Sequence, residues 1–407
     1  MTSDTKSVWG LSAAHLVTDL YSPVLPAILP LLIAEQGYSF FLAGLIVTVF
    51  NLTSSMMQPL VGWLYDTRGL AVHISVTVLI SATFISVIGL LNNYYLVLAS
   101  VAIAALGHAL FHPSALGTVS RLTRDASRGR ITSYFVIGGN LGYAVGPICA
   151  GVAVGLMGLP GLVILAIPGI VMAAVLRYVL PAPGRREVPA PSSRREVPAP
   201  SSRREVPAPS SRSERPARRA IALLVAASGL RAWAIFGSVA FLPTILTLRG
   251  IDLVTANLLV SGMLIAGVVG QLVGGTLSDR YGRKEYTLIG LVTAIPPFLV
   301  FLMTDGIVSL VAMIIFGFIL WSTFAVTVAM AHEIAPGNVG LVSGLMLGLA
   351  VGVGGMGVAA TGWIADATSL SVGLMTIPVA IALAVPLFLA VPYPWKVFSR
   401  SRSPTLG

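Results

Sequence analysis

The chain has 407 residues, of which 56% are apolar and only 10% are charged. A soluble domain carries about 25% charged residues, so this chain has too little charge to cover a water-exposed surface and is predicted to lie in a lipid bilayer. The net charge of +10 does not indicate a nucleic-acid-binding protein, because ten Arg and four Glu between Pro181 and Arg219 supply +6 of it. Cys149 is the single cysteine, which excludes an internal disulfide framework. None of the three lysines lies in a G-x-x-x-x-G-K-[ST] loop, so the chain lacks the P-loop of an ATP-driven pump.

Twelve apolar segments follow one another along the chain, each long enough to span a bilayer, which takes about 20 residues. Their approximate limits are 8–34, 41–65, 71–91, 94–120, 131–156, 159–180, 220–248, 254–278, 286–304, 306–331, 338–364 and 370–393. The first is too long for a cleavable signal peptide, so we expect it to remain as an anchor. The pattern predicts an all-α membrane protein with twelve transmembrane helices.

The basic residues divide the loops between two sides of the membrane. One side carries nearly all of them: Lys6, Arg68, Arg121, Arg124, Arg128, Arg130, the segment after the sixth span, Arg280, Arg283, Lys284, Lys396, Arg400 and Arg402. The opposite side has Arg249 as its only basic residue. By the positive-inside rule, both termini are predicted to be cytoplasmic, in a multi-pass protein of the cytoplasmic (inner) membrane.

A linker rich in Arg, Pro and Ser divides the spans six and six. It contains a nine-residue tandem repeat, Arg-Arg-Glu-Val-Pro-Ala-Pro-Ser-Ser, that begins at Arg185, Arg194 and Arg203. Such sequence cannot bury a core, so we expect a disordered cytoplasmic tether, with a lipid-binding or docking arm as the alternative. The predicted domains are a six-helix bundle over 1–180, the linker over 181–219, a second six-helix bundle over 220–393 and a cytoplasmic tail over 394–407.

The two halves resemble each other in sequence. Residues 25–29 (Leu-Pro-Ala-Ile-Leu) parallel residues 242–246 (Leu-Pro-Thr-Ile-Leu), and residues 62–66 parallel residues 275–279. Two repeats of six spans with a site between them are typical of a transporter.

The most specific string in the chain is Gly-Thr-Leu-Ser-Asp-Arg-Tyr-Gly-Arg-Lys over 275–284, between spans 8 and 9. Asp279 can pair with Arg283, and Gly282 permits a tight turn, so the loop is predicted to lock one conformation; a positive-inside anchor is the alternative. The string resembles the loop motif G-x-L-x-D-R-x-G-R-[KR] of the major facilitator superfamily, which implies that family's fold of two pseudo-symmetric six-helix bundles. The predicted lock residues are Gly275, Asp279, Arg280, Gly282 and Arg283, with Asp66 and Arg68 from a degenerate first-half copy.

Span 5 carries a glycine motif. Gly138, Gly142 and Gly146 lie four residues apart on one helix face, where a neighbouring helix can pack closely, and Pro147 perturbs the helix after them. The motif resembles, in reduced form, the glycine–proline motif of the superfamily's drug:proton antiporters, which implies antiport. Plain helix packing explains the glycines equally well.

Ionisable residues inside membrane spans are functional candidates by default. His15 and Asp19 lie four apart on one face of span 1, and Asp19 is near mid-membrane. Desolvation there disfavours the charged carboxylate, so the pair is predicted to load and release a proton; a fixed buried pair is the alternative. Arg231 in span 7 could pair with Asp19, hold an anionic substrate, or extend its guanidinium towards the cytoplasm.

Other polar residues are predicted to line a central cavity or to satisfy local backbone groups. His108 and His112 on span 4 have a metal-ligand spacing, but no third ligand is evident near them in sequence, so no metal site is predicted. The remaining cavity candidates are Asn51, Asn140, Tyr143 and Gln271.

The chain also resembles one branch of the superfamily, the fosmidomycin-resistance-type exporters, in both halves but not in the linker. The matching strings include residues 15–19, 25–32, 58–62, 111–113, 128–130, 139–140, 146–147, 340–344 and 362–366. The resemblance implies proton-driven export of drugs or metabolites, with His15, Asp19, His112 and Asn140 as cavity or coupling positions.

The leading functional hypothesis is proton-coupled efflux of a small drug-like or anionic metabolite by alternating access, without a cofactor and as a monomer. Uptake of an organic anion by proton symport is the alternative. A non-transporting membrane sensor or assembly protein is a further one, against which the loop motif and the buried Asp19 argue. The chain is not predicted to be an enzyme, because no nucleophile–base pair is evident.

Overall fold

The computed structural model describes residues 3–68, 72–122, 128–180 and 211–396, which are helical and contain no β-strand. The helices of the first half are α1 (Ser3–Leu20), α2 (Val24–Gln36), α3 (Phe40–Arg68), α4 (Ile74–Ser86), α5 (Tyr94–Leu122), α6 (Arg128–Met157) and α7 (Ala166–Val179). Those of the second half are α8 (Ser211–Leu248), α9 (Leu253–Tyr281), α10 (Arg283–Met303), α11 (Gly306–Ile334), α12 (Val339–Ser343), α13 (Ala350–Ala367), α14 (Leu370–Leu374) and α15 (Thr376–Ala390).

These helices form membrane spans. Within the described residues, eleven helical segments are long and apolar enough to cross a bilayer, and the shorter apolar helix Ile74–Leu90 stands where the third span is predicted. The predicted all-α membrane fold is confirmed.

Several spans contain a break or a change of helix type where continuous helices are predicted, among them the first, the sixth, the eleventh and the twelfth, which is divided into α14 and α15. The first consists of α1 and α2, joined by a turn that ends at Pro23, which has no N–H to continue the backbone ladder. The sixth begins as the 3₁₀ helix Leu159–Leu165, which has a proline at its start, and the eleventh contains the π-helical turn Gly344–Leu349.

The boundary of the predicted linker also differs. Helix α8 begins at Ser211, inside the range 181–219 that is predicted to be disordered. Residues 217–220 are Ala-Arg-Arg-Ala, all good helix formers, and they continue the helix ahead of its apolar part. The tandem repeats cover residues 185–211, and all of them except Ser211 lie outside the described residues.

Consecutive spans run in opposite directions, so the bundles have two ends. We call the end where residues 180, 211 and 282 lie the linker end, and the end where Gly37, Gly158 and Gly250 lie the far end. The two bundles pack against each other through α3 with α13, α6 with α9 and α2 with α8.

At the far end, the two bundles are joined by a helix cap. Asp366, in the last turn of α13, accepts hydrogen bonds from the backbone N–H groups of Phe40 (2.7 Å) and Phe41 (3.0 Å). These N–H groups begin α3 and have no partner within their own helix, so the carboxylate satisfies them and faces the positive end of the α3 dipole. Asp366 therefore caps a helix of the other bundle.

Further hydrogen bonds join the bundles in their far halves. They run from Thr48 Oγ1 to Gly355 O (2.8 Å), from Ala359 N to Thr48 Oγ1 (3.2 Å), from Asn257 Nδ2 to Ala27 O (3.1 Å) and from Ile148 N to Ser261 Oγ (3.1 Å). Together with the Asp366 cap they form what we call the far-end seal.

The bundles separate towards the linker end. At the far end, a Cβ on Gly362 of α13 would lie 2.3 Å from Phe40 O, and further along, a Cβ on Gly348 would lie 3.2 Å from Ser55 O. Four residues closer to the linker end, nothing lies within 4 Å of the Cβ position of Gly344. Helix α3 is thus in close contact with α13 at the far end, and it diverges towards the linker end from the π-helical turn that precedes α13.

Candidate coupling site

The fold brings together four predicted site residues from two helices. His15 and Asp19 lie on α1, and His108 and His112 lie on α5. We call these four side chains the Asp19 cluster. The side chain of His15 is 9% exposed, that of Asp19 16% and that of His112 24%, so the cluster is mostly buried but accessible from the His112 side.

His15 and Asp19 form a hydrogen-bonded pair whose protons can be counted. His15 Nε2 lies 3.2 Å from Asp19 Oδ2, and His15 Nδ1 lies 2.7 Å from the backbone oxygen of Phe135 on α6. Because a carbonyl oxygen only accepts, Nδ1 carries a proton. The Nε2–Oδ2 contact is then attractive only if a second proton lies between the two atoms, on the imidazole or on the carboxyl group. The pair therefore holds one exchangeable proton.

The two histidines of α5 extend this contact. His112 Nε2 lies 3.6 Å from Asp19 Oδ1 and 3.0 Å from His108 Nε2. Only one of two facing imidazole nitrogens can accept, so one of them carries its proton there. His108 Nδ1 and Asp19 Oδ1 are buried without a hydrogen-bond partner. The cluster thus has spare acceptor capacity.

Helix α6 packs tightly behind the pair. A Cβ on Gly138, Gly142 or Gly146 would lie within 2.5 Å of the backbone oxygen of Ser12, Leu16 or Leu20, respectively. The four-residue spacing on α6 therefore matches four-residue steps on α1, and the two backbones approach closely. Pro147 lies inside α6 at the end of this contact.

Arg231 does not pair with Asp19. It lies on α8 in the other bundle and is 2% exposed, and its guanidinium carbon lies 5.0 Å from the ring centre of Phe324. Its Nε and Nη1 atoms are buried without a hydrogen-bond partner. The guanidinium is thus held inside the C-terminal bundle by an aromatic face, does not reach solvent, and retains donors for a ligand.

The other four predicted cavity residues are distributed over three helices, α3, α6 and α9. Asn51 on α3 and Gln271 on α9 each have a buried amide nitrogen without a hydrogen-bond partner. Tyr143 on α6 packs against Trp321 on α11, with ring centres 5.6 Å apart, which adds an aromatic contact between the bundles. Asn140 is half-buried on α6.

The loop between α9 and α10 forms a network inside the C-terminal bundle. Arg283 binds Asp279 (2.9 Å) and Glu333 of α11 (2.7 Å), and Gly282 makes the turn with φ +106°. The Tyr393 hydroxyl donates a hydrogen bond to Glu333. Burial, together with this neighbouring carboxylate, raises the pKa of Tyr393. The hydroxyl therefore stays protonated as a donor.

Three of the remaining predicted lock residues, Gly275, Arg280 and Arg68, do not join this network in the part of the chain that the structure describes. Nothing lies within 4 Å of the Cβ position of Gly275, so no helix approaches closely there. Arg280 lies over the ring of Tyr281, and Arg68 is exposed beside Trp63. The side chain of Asp66 lies outside the described residues.

Some contributors to the site carry no signal of their own in the sequence. Phe135 acts through a backbone oxygen, and Gly139 leaves the space that the His15–Asp19 pair occupies: its Cβ would lie 2.4 Å from His15 Nε2 and 2.7 Å from Asp19 Oδ2. His15, Asp19 and His112 also place one ligand-type atom each within 4.8 Å of one another, a group that could hold a metal ion. Spacing shows His15 with Asp19 and His108 with His112, but not the contact between the two helices.

Comparison with known proteins identifies the family. The model of the Major Facilitator Superfamily matches residues 11–358 and 224–404. The chain is 30% identical over 372 residues to the fosmidomycin resistance protein of Escherichia coli (strain K12), covering 88% of this chain and 86% of that protein. It is 26% identical over 383 residues to the uncharacterized MFS-type transporter YfnC of Bacillus subtilis (strain 168), covering 93% and 91%.

Solved structures share the fold. A bacterial homologue of the human lysosomal transporter Spinster, in an inward-facing and occupied conformation, superposes with a TM-score of 0.80 at 16% identity, covering 94% of this chain and 96% of that one. The resemblance of the loop motif to this superfamily is confirmed, as is the prediction that the chain is not an enzyme. The chain belongs to the Major Facilitator Superfamily and is a multi-pass membrane transporter.

Proposed function

We propose that this transporter exports a small drug-like or anionic compound across the cytoplasmic membrane in exchange for protons, as a monomer with both termini in the cytoplasm. The observation that carries the proposal is the Asp19 cluster. A carboxylate and an imidazole that share one proton, with a 3.2 Å contact and access from the His112 side, are suited to load and release that proton.

The position of the cluster supports coupling to a conformational change. Asp19 lies in the last turn of α1, directly before the break in the first span. Discontinuous helices near the midplane are common at transporter binding sites. Loss of the shared proton would leave the lone pairs of His15 and Asp19 facing each other, so the packing of α1 against α5 and α6 would depend on proton occupancy.

The contacts between the bundles support alternating access. The far-end seal closes one end, while α3 diverges from the π-helical turn before α13 at the other. If the basic loops are cytoplasmic, this conformation is open to the cytoplasm. Outward opening then requires the seal to break and the bundles to close at the linker end.

Arg231 supports an anionic group on the substrate. A buried guanidinium without an acidic partner is costly, and a bound anion would offset that cost. The relative that is named a fosmidomycin resistance protein supports efflux of a drug-like compound.

The coupling hypothesis is tested in proteoliposomes with an imposed pH gradient and an internal pH dye. Fosmidomycin and a panel of anionic and amphipathic compounds are added to wild type and to Asp19→Asn, in which an amide keeps the shape but cannot carry the proton. We expect compound-dependent proton flux in wild type and at least a tenfold loss in the variant. Asp252→Asn is the matched control, because Asp252 caps α9 outside the cluster and Asn caps helices equally well. Undiminished coupled flux in Asp19→Asn would refute the role of Asp19.

The role of Arg231 is tested with Arg231→Met. We expect about a tenfold loss of flux for anionic compounds, no loss for cationic ones, and no drop in unfolding temperature, because the guanidinium forms no ion pair with any residue that the structure describes. The control is Arg249→Met. Arg249 donates to the backbone oxygens of Phe301 (3.0 Å) and Leu302 (3.1 Å), so its loss should lower the unfolding temperature. Equal losses for anions and cations would contradict an anion-binding role for Arg231.

Uptake of an organic anion by proton symport uses the same two sites and is the second candidate. The unpaired buried guanidinium favours it as much as it favours anion export. The direction of proton flow separates the two: an added compound should move protons in the opposite direction to its own movement in antiport, and in the same direction in symport.

A further inference from the structure

We propose that His15, Asp19 and His112 form a binding site for a divalent transition-metal ion of the zinc class. Each contributes one ligand-type atom, and the three atoms lie within 4.8 Å of one another. Zn²⁺ is bound in proteins by imidazole nitrogen and carboxylate oxygen, and sites that keep an open position have three protein ligands.

Two distances in the cluster are close to those between ligand atoms around a small ion. With metal–ligand bonds of about 2.0–2.1 Å, neighbouring atoms of a tetrahedral site lie about 3.3 Å apart. His15 Nε2 and Asp19 Oδ2 are 3.2 Å apart, and His112 Nε2 and Asp19 Oδ1 are 3.6 Å apart. The two imidazoles thus flank the carboxylate, one beside each of its oxygens, and all three ligand atoms lie within 4.8 Å of one another.

His15 is held as a metal ligand should be. Its Nδ1 donates to Phe135 O at 2.7 Å, which aims Nε2 into the cluster. Ligating histidines usually donate their second nitrogen to a carbonyl or carboxylate, which fixes the ring. The C-terminal end of α1, where Asp19 lies, also carries the negative end of the helix dipole, which favours a bound cation.

His108 is the nearest source of a fourth ligand. Its Nε2 lies 3.0 Å from His112 Nε2, close to the edge length of a tetrahedral site. His108 lies outside the group of three, so it would have to move to reach the ion once metal at His112 Nε2 replaces the hydrogen bond between the two imidazoles. Two imidazoles and one carboxylate already select zinc, cobalt or nickel over magnesium and calcium, which prefer oxygen ligands.

Metal occupancy has a functional consequence that rests on the proposed function. The ion would take the lone pairs of His15 and Asp19 that hold the coupling proton, so metal and proton cannot occupy the cluster together. A zinc-class ion would therefore inhibit the transporter. Metal binding itself does not depend on the proposed function.

Binding is tested on the full chain purified in detergent with an affinity tag that contains no histidine. Co²⁺ is titrated while visible absorption is recorded, because tetrahedral cobalt absorbs strongly, and Zn²⁺ is titrated by calorimetry. We expect one saturable site in wild type and at least a tenfold weaker affinity in His15→Gln and in His112→Gln. His332→Gln is the control, because His332 bonds Ser343 at the linker end (2.8 Å) and should leave the affinity unchanged.

Folding of each variant is checked by its elution profile and its unfolding temperature without metal. No saturable binding in wild type, or equal affinity in wild type and a well-folded His112→Gln, would overturn the site without touching the proposed function. Zn²⁺ that binds in wild type without reducing compound-driven proton flux in proteoliposomes would overturn the inhibition and count against the coupling role of Asp19.

Discussion

Gly139 shows how closely the coupling pair is fitted to its surroundings. The pair occupies the space beside this residue on α6, where a methyl group would overlap both His15 Nε2 and Asp19 Oδ2. A side chain there must displace one partner of the pair, although α6 itself would fold normally. Gly139 is therefore a positioning residue for the shared proton.

We predict that Gly139→Ala uncouples transport while the protein stays folded. The added methyl group would lie 2.4 Å from His15 Nε2, an overlap that costs about 1–3 kcal/mol unless the pair separates. Compound-dependent proton flux in proteoliposomes should fall at least fivefold. The matched control is Gly262→Ala, where the nearest atom to the new Cβ is 3.6 Å away and flux should persist. Wild-type flux in Gly139→Ala would mean that the pair does not need its present geometry.

At the residue scale, spacing reveals pairs on one helix but not contacts between helices. His15 with Asp19 and His108 with His112 both follow from a four-residue separation. The contact of His112 with Asp19 depends on how α1 crosses α5, and the partner of His15 Nδ1 is a main-chain oxygen that any residue type would supply. The pairing of Arg231 with Asp19, one of three alternatives, does not occur because the cluster occupies Asp19 and Phe324 covers the guanidinium.

Among the helices, the contact of α3 with α13 uses an uncommon arrangement. The hydroxyl of Thr48 donates to Gly355 O and accepts from Ala359 N. These are the carbonyl and the amide that an α-helix pairs with each other. A side chain of one bundle is thus inserted at a backbone hydrogen bond of the other, which ties the two helices while the seal is closed.

We predict that Thr48→Val weakens the far-end seal. Valine keeps the shape of threonine but loses two hydrogen bonds between the bundles, each with a net contribution of about 1 kcal/mol. Hydrogen–deuterium exchange in peptides from the far halves of α3 and α13 should speed up by about tenfold. The control is Thr247→Val, because that hydroxyl bonds only Thr244 of its own helix. Unchanged exchange in Thr48→Val would show that the Asp366 cap and apolar packing hold the seal alone.

Hydropathy locates the spans well because lipid requires about 20 apolar residues, whatever the local backbone geometry. It does not show where a span breaks. Prolines 23 and 160 lie at two of the interruptions in the structure. They do not predict them, because prolines also lie inside α3, α5 and α6 without ending those helices. Tertiary packing decides between the two outcomes.

On the scale of the whole molecule, the described hydrogen bonds between the bundles lie in the far halves, whereas the loop network of Arg283 stays within one bundle. The six-plus-six division follows from the position of the linker and from the repeated strings. The choice of α3 with α13 and α6 with α9 as interface pairs does not, because glycine-rich faces occur on several spans and the sequence of one chain does not say which faces meet.

We predict that the tandem repeats can be shortened without loss of transport. Deletion of residues 185–202 removes two of the three copies and leaves both bundles and the Asp19 cluster intact. Compound-dependent flux in proteoliposomes should stay within twofold of wild type. Replacement of the same 18 residues by a Gly/Ser segment controls for length. If the deletion abolishes flux and the Gly/Ser segment restores it, the length of the linker matters for transport. If flux is lost in both variants, the sequence of the repeat itself has a function.

Cys149 follows Ile148, whose backbone N–H reaches across to Ser261 of the other bundle, and its side chain is half-buried. The chain holds no other thiol. A maleimide can therefore be directed to this boundary in the native protein, with no cysteine removed or added. The thiol should react slowly while the bundles are joined beside it and faster each time they part. The labelling rate of the Cys149 thiol would then report how often the bundles part, and it can be measured by intact-mass spectrometry in the presence and absence of compounds.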